Sequence, residues 1–205
     1  MRFPSVDRLI TSARDTAASF PLVLGSAIVA VAAGIVAIDA SDEDFWLRLL
    51  FAAALGLPLF FAMRMVSERR AWRPARLWAA RLLGLALLAA FFLAWPEWSE
   101  PVRIERLLQA AIAFHLLAAF APFIGASGQG GSVLGGNGGD AGIQGTFWEY
   151  NKTLFLRFLT AGLYSAVLFV GLAIALAGID NLLGVNVDED AYVRLWLLIA
   201  FVFNT

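Results

Sequence analysis

The 205-residue chain is 60% hydrophobic and 15% charged, with a formal net charge of −1 and a mean hydropathy of +0.77. Soluble domains are about 45–50% apolar and about 25% charged, so this composition excludes an ordinary soluble domain and indicates a membrane protein. The small net charge gives no basis for nucleic-acid binding, the lack of cysteine excludes disulfides, and the single histidine excludes a multi-histidine metal site.

Apolar runs long enough to cross a bilayer, which takes roughly 20 residues, recur along the chain. Five of them predict full membrane spans, near residues 20–38, 45–63, 77–95, 107–124 and 154–179. A sixth run, 192–205, stops after 14 residues and is too short for a hydrocarbon core of about 30 Å. We expect that the chain is truncated there or that another segment completes this helix. The sequence therefore predicts an all-α polytopic helical membrane protein, one transmembrane domain with five full spans and a truncated sixth.

The segment before the first span, residues 1–19, has apolar residues at helical spacing and charged residues on the other face. This pattern predicts a short amphipathic helix on the cytoplasmic surface, and a solvated continuation of the first span is an equal alternative. A cleaved signal peptide is disfavoured because the apolar run exceeds the roughly 7–15 residues usual for one.

Lysine and arginine are distributed unequally between the two sides that these spans define. Eleven lie on the side of the N-terminus, and four lie on the other side: Arg48, Arg103, Arg106 and Arg194. Because cytoplasmic loops carry the excess of basic residues, we predict a multi-pass protein of the cell's inner (plasma) membrane with a cytoplasmic N-terminus.

The segment 126–146, between the fourth and fifth spans, is rich in glycine. The stretch GQGGSVLGGNGGDAG, from Gly128 to Gly142, has eight glycines in fifteen residues. The segment lacks the lysine of a phosphate-binding loop, since Thr146 and Phe147 follow Gly145, its last glycine. It also holds a single imperfect copy of the calcium-binding nonapeptide. We interpret it as a flexible cytoplasmic linker.

His115 lies near the middle of the fourth span, and Tyr164 and Ser165 lie at a similar depth in the fifth. An ionisable residue within a span is a functional hypothesis, and a histidine there could relay protons. The alternative is a neutral histidine that forms a structural hydrogen bond to Tyr164 or Ser165. The lack of an accompanying aspartate or glutamate favours the structural alternative.

A second candidate site lies in the basic segment between the second and third spans. Its candidate contacts with anionic lipid are four arginines: Arg69, Arg70, Arg73 and Arg76. The alternative is that this segment only fixes the topology.

The last part of the chain, Phe147–Thr205, carries a set of short motifs. They are the aromatic–asparagine–basic group of Phe147, Trp148, Asn151 and Lys152, the LFLRFL segment, Leu163–Ser165, and the sequence Asp180-Asn181-Leu182. With the RFPS start and Phe20-Pro21, these residues resemble a bacterial family of multi-spanning membrane proteins, the domain of unknown function 4153. The glycine-rich segment is an insertion relative to that family, and its members continue past this end. The resemblance implies location and architecture only, because the family has no established activity.

No catalytic constellation or metal-ligand spacing accompanies the spans. The sequence therefore predicts a non-enzymatic membrane protein without cofactors, structural or partner-binding, whose partners are the lipid bilayer and other membrane-protein subunits. The alternative is a transporter or transporter subunit with a polar site near His115, which is also motivated by Pro58 and Arg81 in or beside the spans. A membrane enzyme is the third hypothesis.

Overall fold

The computed structural model describes residues 18–123 and 139–203, and these two segments are helical without any strand. The helices are α1 (Pro21–Asp39), α2 (Glu43–Arg69), α3 (Pro74–Ala94), α4 (Glu100–Phe120), α5 (Gly139–Leu183) and α6 (Asp190–Leu198). Short 3-10 turns, Trp95–Glu97 and Ala121–Phe123, follow α3 and α4, and a π-helical turn, Ile199–Phe203, follows α6. By length and composition, α1 to α5 can each cross a membrane, which confirms the predicted all-α polytopic fold.

Two predicted features lie wholly or largely outside the described residues: the amphipathic segment 1–19 and the linker 126–146. The linker was predicted to reach residue 146, whereas α5 already begins at Gly139. No proline interrupts the sequence between that residue and Leu183, so the helix of the span can continue toward its N-terminus. The resulting helix has 45 residues and a length of about 68 Å.

Helices α1 and α2 form the centre of the bundle and pack through small side chains. The buried residues of α1 are mostly alanines, and Ala30 is fully enclosed. A Cβ atom added to Gly56 of α2 would lie 2.5 Å from the Ser26 hydroxyl oxygen, so the two backbones are closer there than any larger residue allows. Leu59 of α2 is 1% exposed, so the core of the bundle continues along this helix. Helix α2 also runs through Pro58 without a break.

The other helices attach to this central pair. Helices α3 and α4 both pack against α2, and α6 packs against α1. A Cβ atom on Gly34 of α1 would lie 2.8 Å from a methyl carbon of Leu197, which shows how closely α6 approaches. Helix α5 lies at the margin of the bundle, where its described contacts are with α4, with Arg69 at the end of α2 and with α6.

We call the end of the bundle that contains Asp39, Asp44 and Glu100 the acidic end. Ion pairs join helices there: Arg103 of α4 lies 3.0 Å from Asp44 of α2, and Arg194 of α6 lies 2.9 Å from Asp39 of α1. Arg103 also pairs with Glu100 at 2.8 Å, and Arg48 pairs with Asp44 at 3.2 Å. Three of the four basic residues predicted on this side are therefore neutralised by carboxylates.

Replacement of Gly56 by leucine should destabilise the bundle, because the new side chain would overlap Ser26 and Leu88. Overpacking of this kind costs about 1–3 kcal/mol, and we expect the Tm in detergent to fall by about 5 °C. The control is Gly171→Leu in α5, since a Cβ atom at Gly171 meets nothing within 4 Å. Equal melting temperatures for the two variants would contradict the close packing of α1 on α2.

Replacement of Arg103 by glutamine should also destabilise the fold, because it leaves Asp44 without its partner on α4. The pair is partly exposed, so we expect a loss of about 1 kcal/mol, measured by thermal denaturation in detergent. Arg106→Gln is the matched control, since the Arg106 side chain is exposed and its described bond is to Gln109 of the same helix. If both variants had the same Tm as the unmodified protein, the ion pair between Arg103 and Asp44 would not contribute to stability.

Candidate functional site

His115 lies on the surface of the described bundle, where α4 faces α5. Its Nδ1 atom lies 2.7 Å from the carbonyl oxygen of Ala111, one turn earlier in α4. A carbonyl only accepts, so Nδ1 is the donor of this bond. The nearest aromatic ring is that of Phe158 on α5, with the centroids 6.4 Å apart.

Tyr164 and Ser165 lie in different environments from each other. The Tyr164 side chain is on the outer face of α5 and is 62% exposed, whereas Ser165 is 3% exposed on the inner face. Ser165 is seven residues beyond Phe158, which is about 10 Å along the helix axis. Since Phe158 is the α5 residue beside His115, the three predicted residues do not form one compact site.

Two further polar side chains of α5 bond within their own helix, as His115 does. The Asn151 amide donates to the carbonyl of Phe147 at 3.0 Å, and the Asn181 amide donates to that of Ala177 at 2.8 Å. Such bonds satisfy a polar group without a partner on a neighbouring helix. Within the part of the chain that the structure describes, no group of three histidine or carboxylate side chains is placed to hold a metal ion.

We call the opposite end of the bundle, where α2 ends and α3 begins, the basic end. Arg69 is held there by two rings: its guanidinium carbon lies 4.4 Å from the centroid of Phe123 and 5.2 Å from that of Tyr150. The Tyr150 hydroxyl donates to the carbonyl of Ala118 at 3.2 Å. These contacts join α2, α4 and α5, so Arg69 holds α5 against the bundle and also contributes a positive charge at the surface.

The other three predicted lipid contacts are exposed. Arg76 stacks over Trp72 at 4.7 Å, which leaves the edge of its guanidinium available. Arg70 and Arg73 have no ion pair or ring contact with any residue that the structure describes. The structure therefore divides the four arginines into one anchor and three exposed cations.

The sequence did not predict how little of α5 is covered by the rest of the bundle. Its outward side chains are large, apolar and exposed, and they include Leu163, Val167, Val170 and Ile174. The signal was present, because the run is apolar on all sides and so has no polar face to turn toward water. The sequence alone does not indicate which of the apolar helices lies at the margin of the bundle.

Comparison with protein-family models, with curated proteins and with solved structures found no match to this chain. The resemblance of Phe147–Thr205 to the domain of unknown function 4153 therefore stays a prediction.

Proposed function

We propose that this chain is a non-enzymatic domain of the bacterial inner membrane, and that it works by lateral binding of other membrane-protein subunits through α5. The observation that carries the proposal is the exposure of α5. Most of its large apolar side chains, such as Val167 at 64% and Ile174 at 67%, lie outside the bundle. Five helices that can span a membrane place the exposed face within lipid, where another transmembrane helix can reach it.

Helix α5 is held at a few points along one stripe. Phe147 and Tyr150 fix its beginning against Phe123, and Phe169 stacks on Trp196 of α6 near its other end. Because the outer side is exposed between Trp148 and Leu182, a partner helix can pack there without displacing any helix that the structure describes. Helices associate in lipid by van der Waals packing rather than by hydrophobic burial, so a long uncovered face is what such packing requires.

Open backbone on the same helix supports this proposal. A Cβ atom at Gly162 or Gly171 would meet nothing within 4 Å. Glycines in transmembrane helices allow another backbone to approach closely, and none of the described helices uses these two for that purpose. They are therefore available to a helix from another subunit.

The described polar residues in the spans favour a structural rather than a catalytic or transport role. His115 and Asn181 are bonded to carbonyls of their own helices. The acidic end is consistent with the outer side of the membrane, because three of its four arginines are paired with carboxylates, while Arg70 and Arg73 at the basic end remain exposed for the cytoplasmic side. This supports the orientation with the N-terminus in the cytoplasm.

A photoreactive amino acid placed at Val167 or Ile174 should crosslink to a protein in the native membrane. The partner's side chains would replace lipid against this outer face, so the product should be a discrete larger band after denaturing electrophoresis. The matched control is Leu82 of α3, which is equally exposed. The proposal predicts discrete protein adducts from α5 and only lipid adducts from α3.

Lipid adducts alone at both α5 positions would show that α5 faces only the bilayer. Protein adducts at Leu82 but not at Val167 or Ile174 would move the binding surface to α3 and would equally contradict the proposal.

The orientation is tested with single cysteines, since the chain has none of its own. Ser41→Cys and Ser99→Cys, at the acidic end, should react with an impermeant thiol reagent added to intact cells. Ala71→Cys, in the turn between α2 and α3, should react only after the membrane is opened. The reverse pattern would place the N-terminus outside the cytoplasm.

The same labelling tests the non-transport role through His115→Cys. His115 lies on the surface of the described bundle, in the middle of a helix that can span the membrane, where lipid rather than water would surround it. We therefore expect a small aqueous reagent to label this position at least tenfold more slowly than Ser41→Cys. Equal labelling rates would mean that water reaches this depth, and would favour the transporter instead.

A further inference from the structure

A cleft at the basic end brings two arginines of different helices to the first turn of α1. It is lined by Ser19–Val23 at the start of α1, by Phe60, Met63 and Arg64 of α2, and by Leu77 and Arg81 of α3. The cleft holds about 300 Å³ of empty space, part of which is open to the surroundings. Its walls are apolar and its charged groups are the two guanidinium groups, which is an arrangement suited to a ligand with a charged part and an apolar part.

Arg64 has an unused donor in this cleft. One terminal nitrogen of its guanidinium pairs with Glu68 at 2.7 Å, and the group lies 6.0 Å from the centroid of the Phe20 ring. Its Nε atom is buried and has no hydrogen-bond partner. A buried donor that is left unsatisfied costs free energy, so this position favours a ligand that brings an acceptor oxygen.

Arg81 lies deeper than the arginines of the loop. It is seven residues beyond Pro74, which is about 10 Å along α3 from its start at the basic end. Its described contact is the ring of Trp78, 5.1 Å from the guanidinium carbon, and none of the carboxylates that the structure describes pairs with it. A cation within a transmembrane helix is costly unless a partner neutralises it.

The first turn of α1 adds to the positive potential of the cleft. Phe20 precedes the helix and provides no side-chain cap, and the first amides of any helix have no carbonyl partner within it. Among the residues that the structure describes, the charges lining or adjoining the cleft are Arg64, Arg81 and Glu68, which sum to +1. Together with the helix dipole, this balance favours an anion.

We propose that this cleft binds the phosphate of an anionic phospholipid. Arg64 and Arg81 donate hydrogen bonds to the phosphate oxygens, and the acyl chains lie along the apolar wall formed by Phe60 and Met63. A lipid is favoured over a free phosphate because Phe60 and Met63 precede Arg64 on α2, which ends at the basic end, and so extend the apolar wall from Arg64 toward the interior of the membrane. The proposal is independent of partner binding by α5, which lies elsewhere on the bundle.

The test uses the full chain purified in a neutral detergent, with the Tm followed by tryptophan fluorescence. Phosphatidylglycerol at about 100 times its Kd should raise the Tm by about 5 °C or more. Phosphatidylcholine and glycerol phosphate, added separately, should each give a much smaller rise. The double variant Arg64→Gln/Arg81→Gln should bind phosphatidylglycerol at least tenfold more weakly, as measured by native mass spectrometry.

The matched control is Arg70→Gln/Arg73→Gln, which removes the same charge from the exposed loop beside the cleft. We expect this variant to bind phosphatidylglycerol within about twofold of the unmodified protein, allowing for the long-range field of the loop. An equal loss in both double variants would show a general effect of surface charge and would overturn the cleft site. Full binding by Arg64→Gln/Arg81→Gln would overturn it as well.

The source of the phosphate is decided by the ligand series. A rise with glycerol phosphate as large as that with phosphatidylglycerol would make this a site for a free phosphate ester and would overturn the lipid assignment. An equal rise with phosphatidylcholine would overturn the requirement for an anion.

Arg64→Gln also removes the ion pair of Arg64 with Glu68, so Arg81→Gln alone provides a second variant that leaves this pair intact. Arg81 has no such ion pair, and its single replacement should still weaken binding several-fold.

Discussion

The close approach of α1 and α2 is the constraint on which the bundle depends. Gly56 and Ser26 bring the two backbones together, and Ala30 of α1 and Leu59 of α2 are among the most buried side chains of the bundle. In lipid, helices gain little from hydrophobic burial, so dense packing of small residues provides the stabilisation. The remaining helices then add to this pair: α3 and α4 against α2, and α6 against α1.

The charged residues divide between two tasks at the two ends. At the acidic end, Arg103 and Arg194 are used to connect helices, through Asp44 and Asp39. At the basic end, Arg69 connects α2 to α5 through aromatic rings, while its neighbours in the loop stay exposed. The unequal distribution of charge that predicts the orientation therefore also has a structural counterpart. Ion pairs with carboxylates connect the helices at the acidic end, whereas exposed arginines at the basic end remain available to anions outside the chain.

Helix type and span number could be predicted from sequence, because twenty apolar residues in a row have few other stable states in lipid. The ends were less predictable: α5 begins at Gly139, where glycine content favoured a linker, because helix continuation depends on neighbouring turns as well as composition. His115, Tyr164 and Ser165 share a depth in the sequence, but depth does not fix rotation about the helix axis. Tyr164 consequently faces outward and Ser165 inward. The sequence also did not predict that Arg64 of α2 and Arg81 of α3 line the same cleft, because their proximity depends on how the two helices pack.

The length of α5 has a mechanical consequence. Its 45 residues form one uninterrupted helix of about 68 Å, more than twice the thickness of the hydrocarbon core. Such a helix is held at two separated points, where Tyr150 contacts Arg69 of α2 and where Phe169 contacts Trp196 of α6. Because both points are fixed to other helices, a displacement of α5 would be transmitted to α2 and α6 together.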